Sequence, residues 1–295
     1  MKIIDVEIFS PTLIRKTSCL LLILCFSISM AQKLNDGLDL KNDRLNKKTE
    51  QAKNIEFDID CIITDAFAQM AFMAHTAEVN AVRMAPLEIS PTEENEYGEK
   101  IYKEIEKENK FIETENLINP IRKIAEELIN ERPTNKTNLK YTIYLIDDST
   151  INAFTAGGYI FINKGLLDYC KTVSELATII AHEIGHNEKG HINLILKRIK
   201  IAGDFGNILY TIKQATAPSF NQFDEVEVDC YAVDLLYATG YDPRAATKLW
   251  KRMDNEKKEE NSIITKFLMS HPYSIERYEC LKQHIQQNYK NLKVD

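Results

Sequence analysis

The sequence predicts one α+β domain, mostly helical, with a small β-sheet set among the helices. Three observations predict it. Amphipathic, helix-period segments fill the chain on both sides of a single β-rich stretch, residues 140–163. Gly157-Gly158 breaks that stretch into short strands. No internal repeat or low-complexity tail divides the 295 residues, so the helices and the small sheet belong to one layered core.

The N-terminus differs from the rest. Arg15 and Lys16 precede an apolar run from Leu20 to Met30. A membrane span needs about 20 residues, so this run is short for one. Ser29-Met30-Ala31 puts small residues before a cleavage site, which predicts a signal peptide over 1–31. The alternative is an uncleaved membrane anchor. Residues 32–55 are polar without periodic apolar positions and read as a flexible leader, which leaves 56–295 as the folded domain. The expected location is therefore outside the cytoplasm, in a periplasm or cell envelope. Such a compartment permits disulfides among Cys61, Cys170, Cys230 and Cys280. Four cysteines allow three pairings, and one bridge with free buried thiols stands level with two bridges.

Within the domain, 58–83 reads as one long, mostly buried helix, with His75 as a packed side chain. "SPTEENEYGEKIYKEIEKEN" carries a capping signal and i, i+4 charge pairs, as a surface helix does. Residues 117–130 form an amphipathic helix closed by Pro133. "KYTIYLID" reads as a strand, and "INAFTAGGYIFINKG" as two strands joined at Gly157-Gly158. Thr172 and Glu175 make a capping box for a helix through His186, with Gly190 as its C-terminal cap. The remainder reads as helices over 191–214, 223–238, 243–256 and 274–290.

The net charge of -7 and the lack of a Lys/Arg cluster exclude nucleic acid as the main partner. The chemistry concentrates in "TIIAHEIGHNEKGH". His182 and His186 are four residues apart and share one helical face, where two imidazoles can grip one zinc ion. Glu183 then lies beside the metal, placed to polarise a water. A third ligand is needed. His191 follows His186 by five residues, whereas metzincins place glycine at three and histidine at six, so His191 reads as a helix-end residue. "FDEVEVDCYAVDLL" offers Glu225 as ligand. Asp229, one turn on, can accept the spare N–H of a ligand histidine. Glu227 is the fallback, and a solvated acidic helix end is the plainer reading of the same residues.

The order of these motifs resembles the HtpX, BepA and CAAX-prenyl-protease family of zinc metallopeptidases, the gluzincins. "EYGEKIYKEI", "NAFTAGGYIFINKGLL", "SELATIIAHEIGH", "EVEVD", "GYDPRAATKLWKRM" and "HPYSIERYECL" carry the resemblance over about residues 95–290. It implies a zincin-like metalloprotease domain whose sheet edge lines an active-site groove. It also implies one zinc per chain on His182, His186 and Glu225, Glu183 as catalytic base and Asp229 behind a ligand. The edge strand would set Asn152, Ala153 and Phe154 beside an extended substrate. His271 and Arg277 would lie close to the site. His271 would stabilise the oxyanion or, in a resting form, fill the open zinc position. Two positions depart from the pattern, Ala156 for proline and Val228 for alanine. The membrane spans of HtpX and the prenyl proteases and the repeat region of BepA are not found here, which favours a compact exported form. Association with a membrane through the N-terminal segment or a partner stays open.

The implied activity is zinc-dependent endoproteolysis of unfolded, misfolded or partly assembled envelope proteins. The alternative is a latched zinc protein that acts as a chaperone or scaffold. A zinc deformylase would need a cysteine ligand in an "EGCLS"-like stretch, and Cys170 lies in "LLDYCKTV" instead.

Overall fold

The computed structural model describes residues 45, 59–63, 65–133, 137–203, 221–258, 271 and 275–294. The expected signal peptide and nearly all of the leader lie outside the described residues. The described chain runs α1 (Ala66–Met84), α2 (Pro91–Glu108), α3 (Glu115–Asn130), β1 (Thr142–Ile146), β2 (Ala153–Ala156) and β3 (Tyr159–Asn163). It continues with α4 (Lys164–Tyr169), α5 (Val173–Glu188), α6 (His191–Ala202), α7 (Gln222–Thr239), α8 (Arg244–Lys258) and α9 (Ile275–Asn288). No helix among the described residues is long and apolar enough to cross a membrane.

The sheet has the order β1-β3-β2. β1 runs parallel to β3, and β2 runs antiparallel to it with Phe154 opposite Phe161. Period-2 alternation gives the sheet two apolar faces. Ile143, Leu145, Ile160 and Ile162 join the main core with α3 and α5. Tyr144, Phe154, Tyr159 and Phe161 meet α2 on the other side. Gly157 and Gly158 turn the hairpin at φ 53° and 84°. A Cβ on Gly157 would lie 2.0 Å from Glu94 O, so the turn can press onto α2 only because it carries no side chain there.

α5 is the central element, buried from Val173 to Asn187. A helix hydrophobic around its circumference must be enclosed, and α3, α7, α8 and the sheet enclose it. Its expected capping box is half made. Thr172 Oγ1 accepts from Glu175 N–H at 3.2 Å, but the Glu175 carboxylate accepts from Lys171 N–H and holds Arg252 of α8 in a two-pronged pair. The tertiary ion pair has drawn the side chain off the local motif.

Three expectations about elements change. α1 is not mostly buried: Val79 alone is buried, and Phe67, Met70, Met73 and Met84 are exposed by 81%, 70%, 64% and 84%. Apolar residues and alanines recur on every side of it, so the pattern does not mark which face packs. The helix expected over 191–214 ends at Ala202, where Gly203 adopts φ 70°. The stretch from 204 to 214 lies outside the described residues. The short helix α4, which follows β3 directly, carries no strong sequence signal.

One disulfide forms, Cys61 to Cys280, with Cα atoms 5.2 Å apart. It ties the 3-10 turn Ile59–Cys61 to α9. Cys170 and Cys230 are free and buried.

Candidate metal centre and active site

α5 and α7 pack along each other, and their close approach builds the site. Gly185, between the two histidines, faces Val228. A Cβ there would lie 3.1 Å from Val228 Cβ. A larger residue at 185 would push α7 away. The valine at 228 closes this contact without a gap. His75, on α1, packs near the start of α7 as expected, stacked on Phe223 at 5.8 Å.

His182 and His186 converge with Nε2 atoms 3.1 Å apart. Glu225, from the first turn of α7, brings Oε2 to 3.5 Å from His182 Nε2 and Oε1 to 3.5 Å from His186 Nε2. His271 reaches in from the segment before α9, its Nδ1 3.2 Å from His182 Nε2 and 3.2 Å from Glu225 Oε1. One ligand atom from each of these four buried residues lies within 4.8 Å of the others. Glu183 lies beside them, fully buried. Neither carboxylate oxygen has a hydrogen-bond partner among the described residues, and His271 Nε2 approaches to 3.4 Å. Burial pushes the Glu183 carboxyl pKa up. Such crowding of imidazoles and carboxylates, with an orphaned buried carboxylate alongside, fits a divalent cation and an attached water.

A ring of supports surrounds the cluster. His182 Nδ1 lies 3.0 Å from Asp229 Oδ1. Arg277 of α9 grips Asp229 Oδ2 at 2.9 Å and Glu225 Oε2 at 2.8 Å. Its guanidinium stacks over Trp250, 5.2 Å from the ring centroid, and Trp250 meets the His182 ring edge-on. Burial raises the Glu225 pKa, but the charges of Arg277 and His271 and the bonds to His182 and His186 hold it well below the usual range. Burial lowers that of His182, yet its bonds to Asp229 and Glu225 outweigh this and raise it to about 9. His186, where burial dominates, is held well below its ordinary value and so favours the neutral, ligating form.

The expected substrate strand, β2, forms a sheet edge. Asn187 fastens it to α5. Its Nδ2 donates to Thr155 Oγ1 at 2.7 Å and to Glu183 O at 2.8 Å, and its Oδ1 accepts from Gly158 N–H at 3.0 Å. Ala153 is buried, Phe154 is half-buried and stacks on Phe161 at 4.8 Å, and Asn152 Oδ1 is buried without a hydrogen-bond partner among the described residues.

Three neighbours of the site escaped the sequence reading. Asn187 and Trp250 look like ordinary helix positions. His191, read as a helix-end residue, does open α6, but its Nδ1 also lies 3.0 Å from His186 Nδ1. Its Nε2 lies 3.3 Å from Glu227, the fallback ligand, which points away from the four-residue cluster.

The model of Peptidase family M48 matches residues 117–285. The mitochondrial metalloendopeptidase OMA1 of Saccharomyces cerevisiae is 29% identical over 163 residues, 49% of this chain and 47% of its own length. The beta-barrel assembly-enhancing proteases of Yersinia pestis and Escherichia coli K12 are 26% and 27% identical, each over 47% of this chain and 33% of their own. The chain thus spans about half the length of the mitochondrial relative and about a third of the bacterial ones.

Proposed function

The chain belongs to Peptidase family M48, and from that premise we propose that it is a zinc-dependent endopeptidase that cleaves exported, unfolded or misassembled polypeptides in a periplasm or cell envelope. One observation carries the proposal: ligand atoms of the buried His182, His186, Glu225 and His271 lie within 4.8 Å of one another, and Glu183 comes within 3.4 Å of His271. The signal-like N-terminus and the names of the bacterial relatives support the location and the substrate class.

His182, His186 and Glu225 would hold the ion. When bound, zinc supplies Lewis-acid polarisation of a water and of the scissile carbonyl. Glu183 takes the water's proton during attack and returns it to the leaving amine. Its raised pKa, set by burial, suits a group that must both accept and release a proton. Asp229 accepts the Nδ1–H of His182 and so fixes its tautomer. Arg277 aligns Glu225 and Asp229 together. An extended substrate adds to the free edge of β2 along Asn152, Ala153 and Phe154.

The test is casein cleavage by the purified protein with and without a zinc chelator, beside Glu183→Gln. Chelator-sensitive cleavage that vanishes in the mutant is expected. Substantial cleavage by Glu183→Gln would overturn the assignment of the base.

A second reading draws on His271. Its Nδ1 stands where a fourth ligand would, so the arrangement suits a resting, latched enzyme that binds zinc and holds clients without cutting them. His271→Ala separates the two roles. A latch predicts zinc retained and faster cleavage, whereas an oxyanion group predicts zinc retained and slower cleavage.

A further inference from the structure

We propose that His191 and Glu227 form a positioning pair that orients the zinc ligand His186, as Asp229 orients His182. The inference rests on the zinc reading of the site. It starts from an asymmetry that the geometry resolves. His182 has a carboxylate behind it, Asp229 Oδ1 at 3.0 Å. His186 has another imidazole there, His191 Nδ1 at 3.0 Å.

Two Nδ1 atoms at that distance share one proton. A nitrogen that faces a metal must be unprotonated, so His186 carries its proton on Nδ1 and donates it outward. His191 must then accept at Nδ1 and keep its own proton on Nε2. That atom points at Glu227 Oε2, 3.3 Å away, with Asp224 Oδ1 at 3.6 Å. Lys189 Nζ fixes the other Glu227 oxygen at 3.2 Å. The order is ligand, imidazole, carboxylate, ammonium, and each member sets the tautomer or direction of the one before it.

The turn between α5 and α6 makes the arrangement reachable. Gly190 adopts φ 76°, and a Cβ there would meet nothing within 4 Å, so the position requires a backbone conformation and not space. That left-handed residue swings α6 round and returns His191, only 4% exposed, onto His186.

The test measures the zinc dissociation constant by competition with a chromophoric chelator. The full protein is compared with His191→Ala, His191→Asn, Glu227→Ala and the double alanine variant. Loss of such an outer partner weakens metal binding about 10- to 100-fold, which is the effect expected for His191→Ala. Asparagine places Oδ1 where Nδ1 was, accepts the same N–H and restores binding to near the wild-type value. Glu227→Ala weakens binding less, and adds nothing to His191→Ala because it acts through His191. Unchanged affinity in His191→Ala overturns the proposal, as does failure of asparagine to restore it. Wild-type protein that binds no zinc would instead overturn the reading on which the proposal stands. If His191→Ala does not fold, the asparagine and Glu227→Ala affinities decide.

Discussion

Arg277 Nη1 stands 2.8 Å from Glu225 Oε2, with neither side chain open to solvent. The same guanidinium takes Asp229, so one cation on α9 neutralises two carboxylates on α7. Arg277→Met keeps the bulk and removes the charge, which leaves two buried anions together. The zinc-free protein should lose about 3–5 kcal/mol in urea denaturation, and added zinc should recover part of it. A zinc-free variant as stable as the wild type would remove the arginine from this role.

Asn187 should matter to substrate more than to metal. Two of its hydrogen bonds fasten the β2–β3 hairpin to α5 and the third stays within α5, and none reaches the side chain of His182, His186 or Glu225. Asn187→Ala leaves a buried N–H on Gly158 unmet, at about 1–3 kcal/mol. The expected result is a lower kcat/KM on peptide substrates with one zinc still bound. Loss of zinc together with activity would contradict it.

Glu94 sets a pH dependence outside the metal centre. Burial pushes its carboxyl up to about 7, against the Asn193 bond that pulls the other way. The folded state therefore keeps a proton that the unfolded chain gives up near pH 4.5. The stability that goes with this proton is complete below about pH 4.5 and is lost as pH rises through about 7. Glu94→Gln should match the wild-type slope at low pH and open a gap of up to about 3 kcal/mol in its favour by pH 8. Parallel stability curves across that window would show that the carboxyl is not held protonated.

The bridge between Cys61 and Cys280 closes a separation of 219 residues. Cys61→Ser with Cys280→Ser should lower stability by about 2–4 kcal/mol, read from urea midpoints. The effect should be absent when wild type and variant are compared in reductant.

The sequence made the local chemistry plain. His182, Glu183 and His186 follow from a spacing that one helix face imposes, and the hairpin follows from adjacent glycines. Glu225 and Asp229 needed the resemblance to rise above an acidic helix end. What stayed hidden depends on distant partners. Glu175 looked like half of a capping box until Arg252, far along the chain, claimed it. The apolar pattern of α1 could not mark which side faces water. His191 was judged by ligand spacing alone, and a residue that meets His186 at its Nδ1 obeys no such spacing.

The placement of Arg277 also orders events during synthesis. The ribosome delivers His182, His186 and Glu225 well before α9 exists. Until Arg277 arrives, Glu225 and Asp229 would have to be buried without the guanidinium that joins them, so the closure of α7 on α5 is less favourable. A chain caught short of its last helix therefore holds the zinc-binding sequence but lacks the cation that gathers it.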